Sequence, residues 1–378
     1  MNHDLIPLIV GAIVFLASLI SIRLGLSVAI IEILIGAFAG NLGLESQDWM
    51  LYLANFGGII LTFLAGTEID TKMMKEKFKE SFLIGFFSFL IPFIGVFLYT
   101  YFGLHWTLNA SLIAGTALST TSLAVVYSVL VETGLTKTKI GKMIMSATFI
   151  TDMGTALALS ILFIKPTFYT LVFYLVSIIV IILVNKFALL ILRNKNLSGK
   201  VVEPEIKFIF LILLTFMYFA KLGEGHAILP AFVLGMLMSK HFKIQRRTSA
   251  ISIKIRTVAY AIITPIFFII GGMKISFTLI YSALGLFVLL FLIKIVAKFI
   301  GVYFFAKKYI PGGSTYTTLL MSTGLTFGTI SSLFGLQAGY IDQLQYSVLV
   351  GVVVASAVIP TFIAQKWFAP KYPEDILK

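Results

Sequence analysis

The residues best placed to do chemistry in this chain are few. Of its 16 acidic residues, only Asp152 and Glu32 fall inside hydrophobic segments. Asp152 lies midway along an apolar stretch, Ile140 to Phe163, that is otherwise almost free of charge. A carboxylate at the centre of a lipid-spanning helix costs ~2.5–3.5 kcal/mol by insertion measurements, so it faces a bundle interior or a water-filled cavity and marks an ion or proton path. It can hold a proton or a hard cation with oxygen ligands, but not both at full strength. Thr151 beside it, and Thr121 and Ser122 from the run Ser119-Thr120-Thr121-Ser122, offer neutral oxygens for a dehydrated Na⁺ or similar ion.

Two cations share that depth. Asp152 is ten residues beyond Lys142, about 15 Å into its helix, and Lys298 and Lys294 precede Lys307 by nine and thirteen residues, about 14 and 20 Å from the same side. Lys294 and Lys298 are spaced i, i+4 and share a helix face. Burial in a low dielectric disfavours the charged form of either group type. The plainer readings are a structural ion pair for Asp152 and amines snorkelling to the interface for the lysines. Glu32, the fifth residue of its segment, lies close enough to the cytoplasmic face to be partly wet, and reads as a structural or gating residue rather than the ion ligand. Glu68 and Asp70 stand beside Lys72 and Lys75 as a solvated charge cluster. The four histidines, His3, His105, His226 and His241, show no metal-site spacing, and no nucleophile elbow or Gly-rich phosphate loop points to an enzyme or a cofactor.

Composition decides what positions these groups. The chain is 59% hydrophobic and 12% charged over 378 residues, with a mean hydropathy of +1.03, far too apolar for a soluble domain. Without water to satisfy peptide groups, a spanning segment is a helix or part of a closed barrel. Apolar runs of helical length without strict alternation select helices, so the chain is read as an all-α polytopic membrane protein. Thirteen spans are expected: Leu5–Ile22, Val28–Leu42, Trp49–Thr67, Phe82–Tyr101, Leu108–Val131, Ile140–Phe163, Thr167–Leu192, Ile206–Ala220, Ile228–Met238, Val258–Met273, Phe277–Phe305, Tyr316–Leu336 and Tyr346–Phe368. The ninth is short and the eleventh long. The absence of cysteine excludes disulfides and thiolate sites.

The net charge of +13 would fit nucleic acid, but its distribution follows topology instead. Basic residues crowd alternate loops (Lys72–Lys79, Lys137–Lys142, Arg193–Lys207, Lys240–Arg256, Lys307–Lys308 and the tail), while the opposite loops hold Lys165, Lys221 and Lys274. By the positive-inside rule the N-terminus is outside and the C-terminus cytoplasmic, in a plasma membrane. Anionic lipid attraction is a by-product. Arg23 follows the first span and no basic residue precedes it, so a retained helix rather than a signal peptide is expected. The short tail after Phe368 leaves no soluble regulatory domain to expect.

The chain also resembles itself. Shifted by 206, Leu61–Asp70 lies over Phe267–Ser276; shifted by 207, Thr116–Ser119 lies over Thr323–Thr326. Both place span n over span n+7, so spans 1–6 and 8–13 would be inverted repeats joined by span 7. Transporters of that design bind substrate near the midplane at interrupted helices. The hydroxyl- and glycine-rich runs Ser119–Ser122 and Ser322–Ser332 make spans 5 and 12 the candidates for broken crossing helices, close helix packing being the other use of small residues.

Several stretches together resemble monovalent cation:proton antiporters of the NapA/Kef branch: Glu32–Leu44, Phe63–Asp70, Leu118–Ser122, Val131–Leu135, Ala147–Asp152 and Ala297–Gly301. The resemblance covers essentially the whole chain. It implies a homodimer with a scaffold in residues 1–81 and 201–276, a mobile ion-carrying core in 82–165 and 277–378, and a linker helix in 166–200. The core would move as an elevator. Carried over, Asp152 matches the essential ion-binding aspartate, Thr121 and Ser122 the crossing-helix hydroxyls, and Lys298 the intramembrane lysine; Thr120, Ser119, Thr326 and Lys294 are neighbouring candidates. Electrogenic members have two adjacent aspartates, whereas here Thr151 fills the first position, leaving Lys298 to pair with Asp152. The expectation is electroneutral exchange of Na⁺, or K⁺, for H⁺. The competing readings are a cation channel or sensor on the same scaffold and a sodium-coupled organic-anion symporter.

Overall fold

The structure, a computed structural model, describes residues 5–24, 27–67, 77–135, 138–163, 167–192, 203–223, 227–244 and 246–370, side chains at 124, 128, 131–132, 185, 187–192 and 240–249 aside. The Glu68/Asp70 cluster and many of the basic loop residues lie outside the described residues, as do His3 and His226.

The described residues form helices and no strand. In chain order they are α1 (Leu5–Leu24), α2 (Val28–Asn41), α3 (Asp48–Thr67), α4 (Phe78–Leu98), α5 (Leu108–Ser119), α6 (Leu123–Glu132), α7 (Lys139–Leu162), α8 (Phe168–Leu192) and α9 (Pro204–Leu222). Then come α10 (Ile228–Ile244), α11 (Arg246–Val258), α12 (Thr264–Met273), α13 (Phe277–Ser282), α14 (Leu284–Lys298), α15 (Phe304–Tyr309), α16 (Ser314–Met321), α17 (Leu325–Gln337) and α18 (Gln343–Trp367). Single π-helical turns extend α4 (Tyr99–Gly103), join α11 to α12 (Ala259–Ile263) and join α14 to α15 (Phe299–Tyr303). Eight helical stretches among the described residues are long and apolar enough to cross a membrane, and four further apolar helices are shorter.

Each expected span falls on a described helix, with differences that have local causes. The eleventh is long because it is two helices. Ser276 caps α13 by accepting from the Leu279 N–H (3.3 Å), and Ala283, outside helical geometry, closes it before α14 begins. The fifth and twelfth are each divided, at Thr120–Ser122 and Ser322–Gly324. Those breaks begin at Thr120 and Ser322, an offset of 202. The shift of 207 read from the sequence therefore lays the end of one half-helix over the break of the other; short hydroxyl-rich matches leave a register free to slip by several residues.

The chain separates into two compact units. One comprises residues 1–46, 72–155 and 268–378, the other 47–71 and 156–267. In the second, Phe63, Phe173, Phe216 and Leu213 centre a buried apolar cluster, and Lys254 pairs with Glu203 at the surface. The first unit carries Asp152 and both lysines, and glycine sets how tightly its helices meet. A Cβ on Gly85 of α4 would run into the Ala147 carbonyl of α7, and one on Gly301 into the Phe87 carbonyl of α4. α4 is thereby drawn against both α7 and the end of α14, the two helices bearing the candidate acid and amines. Asp342 and Gln345 form a reciprocal capping box that starts α18.

Candidate functional site

The site is built where two helices stop. α5 ends at Ser119, and Thr120 turns extended (ψ 162°); α16 ends at Met321 and α17 resumes at Leu325. Peptide groups freed in this way need partners, since lipid supplies none. Each break supplies them to the other. The Ser122 N–H donates to Thr323 O (3.0 Å), Thr120 Oγ1 to Gly324 O (3.0 Å) and Thr121 Oγ1 to Met321 O (2.8 Å), while the Ser122 and Thr326 hydroxyls meet at 3.2 Å. Serine and threonine suit these positions because one short side chain can close a helix end or bridge to the opposite chain. Ser119 Oγ donates back to Thr116 O and Ser322 Oγ to Thr318 O.

Lys298 fastens this crossing. Its side chain is fully buried, and Nζ donates to Ser119 O (2.7 Å), Ser88 Oγ of α4 (2.9 Å) and Thr121 Oγ1 (3.1 Å). Three acceptors match the three donors of an ammonium. The bonds are directional as a set: the Thr121 hydrogen goes to Met321 O, leaving an oxygen lone pair for Lys298. The Ser119 carbonyl is at the negative end of α5, where a cation is favoured.

Asp152 comes from α7 and is 2% exposed. One turn earlier on the same helix, Thr148 Oγ1 contacts Met321 Sδ at 3.3 Å, so this face of α7 meets the second break. Lys298 lies within electrostatic reach of both Asp152 and Lys294. Lys294, equally buried, donates to Ser356 Oγ of α18 (2.8 Å). An acid, two amines, the hydroxyls of Thr120, Thr121, Ser122 and Thr326 with those of Ser88 and Ser356, and the polar ends of four half-helices thus converge inside the bundle.

The other candidates fall differently. Thr151 Oγ1 is turned toward α4, its hydrogen directed at Gly85 O and Ala147 O (3.1 Å each). Glu32 takes no part in the crossing bonds, and it is 2% exposed rather than partly wet. Depth along the helix was the wrong measure: α1 packs on α2, and α12 approaches so closely at Gly36 that a Cβ there would strike the Ile269 backbone. Ser88, Ser356 and Gly324 were not singled out by sequence reasoning. A lone serine in an apolar helix is a weak signal, since small residues serve close packing as often as binding.

The transmembrane sodium/hydrogen exchanger pattern matches residues 11–368. The chain belongs to the sodium/hydrogen exchanger family. It is 27% identical to a probable Na⁺/H⁺ antiporter 3 of Methanocaldococcus jannaschii, over 91% of this chain and 90% of that one. It is likewise 27% identical to a Na⁺/H⁺ antiporter of Enterococcus hirae, covering 94% and 95%, and 24% identical to the Na⁺/H⁺-K⁺ antiporter GerN of Bacillus cereus, covering 94% of each. The fold matches that of the sodium proton antiporter MjNhaP1 from Methanocaldococcus jannaschii, with a TM-score of 0.67 at 12% identity over 98% of this chain and all of that one. Family and fold support cation/proton antiport across a membrane.

Proposed function

We propose that the protein exchanges Na⁺ for H⁺ across the cytoplasmic membrane by competition for the Asp152 carboxylate. The observation that carries this reading is one buried acid beside a lysine-fastened crossing of two broken helices. In one limb of the cycle Asp152 holds a cation, with Thr121 and Ser122 offering oxygens; in the other it holds a proton. Occupancy by one excludes the other, and with a core that crosses only when loaded, each step of the cation in one direction requires a step of the proton in the other, which separates an exchanger from a channel. Names of relatives that include K⁺ support potassium as a second substrate.

Several finer features belong to the same reading. One carboxylate at the site, with Thr151 where a second acid would stand, supports one-for-one, electroneutral exchange. Basic loops support an external N-terminus and a cytoplasmic C-terminus. Thirteen spans as two inverted six-helix repeats, a homodimer with residues 1–81 and 201–276 as scaffold, and an elevator movement of the core complete it.

Reconstitution into proteoliposomes tests the proposal. Na⁺ is expected to dissipate an imposed pH gradient, with K⁺ and Li⁺ as comparisons, and the apparent Na⁺ affinity is expected to weaken as pH falls, because protons occupy the shared carboxylate. Clamping the membrane potential is expected to leave the rate unchanged. Cation flux without proton counterflow would replace the exchanger with a channel, and a rate that follows voltage would end the electroneutral version.

A further inference from the structure

The junction between α12 and α13 is closed by side chains from other helices. α12 ends at Met273, and the Ile275 N–H goes to Gly272 O (2.7 Å) instead of its helical partner, Gly271 O. Carbonyls freed at a helix end need donors that lipid does not supply. α18 and α2 supply them. Tyr346 Oη donates to Gly271 O (2.6 Å), Gln343 Nε2 to Lys274 O, and Asn41 Nδ2 to Ile275 O (2.7 Å). The N–H groups that open α13 are met in the same way: Ser276 donates to Ser347 Oγ (2.9 Å) and Phe277 to Asn41 Oδ1 (3.2 Å). Tyr346 and Ser347 are fully buried. A Cβ on Gly40 would lie 2.2 Å from Met273 O, so the backbones of α2 and α12 touch where the junction begins. All of these residues belong to the first compact unit.

We propose that this junction is a latch, which Tyr346, Ser347 and Gln343 of α18 and Asn41 of α2 hold shut in the conformation seen here, and which must open for exchange to proceed. The inference rests on the exchange reading above, in which residues 1–81 and 201–276 form a fixed scaffold and 277–378 travel with the core. On that division four of the bonds join a fixed part to a moving one: Tyr346 to Gly271, Gln343 to Lys274, Ser276 to Ser347 and Phe277 to Asn41. A hydrogen bond is lost within about 1 Å of stretching, so a larger shift of α18 along α12 breaks them together. Gly271 O and Lys274 O then lose their donors, and the Ser276 and Phe277 N–H groups their acceptors. Unmade bonds at buried groups are costly, so the set favours this conformation over one in which α18 has moved. On the topology proposed above, the ends of α2 and α12 and the start of α18 face outward, which makes the latch an external one.

The chain has no cysteine, so introduced thiols report alone. Ile275 is buried at the junction. In Ile275→Cys, labelling by a water-soluble maleimide is expected to quicken about fivefold when Tyr346→Phe or Asn41→Ala is added, the change in opening that loss of one hydrogen bond gives. Tyr346→Phe keeps the ring and removes only the bond. The reverse manipulation locks the junction. In proteoliposomes, Ser276→Cys/Ser347→Cys is expected to exchange Na⁺ for H⁺ until a short bis-thiosulfonate bridges its thiols, to fall below about a tenth of that rate once bridged, and to recover on reduction. Exchange at the unbridged rate through a complete bridge would overturn the inference, because the junction would then be a pivot that stays shut. Labelling that neither substitution changes would overturn it as well, and a loss that reduction fails to reverse would count against it. A parent that does not exchange, with labelling still quickened by both substitutions, would strike the exchange reading and not the latch.

Discussion

Asp152→Asn is expected to reduce Na⁺-driven dissipation of a pH gradient to background, a loss of at least about a hundredfold. Asparagine has nearly the same shape, so the variant should assemble and elute like the parent. What it lacks is both halves of the exchange. An amide neither takes up a proton in the working range nor neutralises a dehydrated cation, and the neutral oxygens of Thr121 and Ser122 cannot replace the charge. Lys298 then remains with its acceptors Ser119, Ser88 and Thr121 but without the acid that offsets it. Flux measured against a gradient of fixed size separates this from partial damage. An Asp152→Asn protein that still exchanged at a substantial fraction of the parental rate would move the cation site elsewhere, with Glu32 the first buried carboxylate to examine.

The second large effect is expected at a residue with no side chain. Gly324→Ala should cost about 1–3 kcal/mol of stability, the usual range for overpacking, and lower exchange severely. The backbone there, φ −145° and ψ 30°, does not demand glycine. The space does, because the new methyl would stand 2.6 Å from Lys294 Nζ and 2.7 Å from Thr120 Oγ1. Relief requires pushing Lys294 off Ser356 or Thr120 off the Gly324 carbonyl, and the latter is one of the bonds tying the two breaks together. Thermal unfolding in detergent and proteoliposome exchange measure the two consequences. Adding Lys294→Met, which is one atom shorter and leaves the amine position vacant, should recover part of the lost stability. A Gly324→Ala protein with parental stability and rate would show the crossing to be looser than its contacts indicate.

Much of this was legible beforehand because lipid imposes hard rules. A chain this apolar must bury its peptide groups in helices, and Leu5–Leu24, Asp48–Thr67 and Lys139–Leu162 appear within a few residues of their expected limits. Asp152 was conspicuous for the same reason: a charge is expensive at that depth, so its presence alone marks a place where something compensates it. The interruptions were visible as clusters of hydroxyls and glycines, although not their register. The resemblance to cation:proton antiporters rested on those same residues.

Other features depended on distance in space. Ser88 and Ser356 look like packing residues in their own helices; Ser88 becomes a lysine acceptor where Gly301 lets α4 approach the end of α14, and Ser356 where α18 packs on α14. Thr151 adjoins Asp152 in sequence, yet helical rotation of about 100° per residue turns its hydroxyl to the α4 backbone rather than to the crossing. Glu32 seemed near the surface by counting along one helix and is buried by neighbours that the count did not include. The amino-acid order by itself determined that the chain is a helical membrane protein with a buried acid and two buried-depth lysines, because the penalty for misplacing a charge or a bare peptide group in hydrocarbon is large and local. Which oxygen each lysine meets, and which small residue must remain glycine, was decided by tertiary packing alone, since those lysine contacts join positions 62 to 210 residues apart and depend on ångström-scale approach that no local pattern encodes.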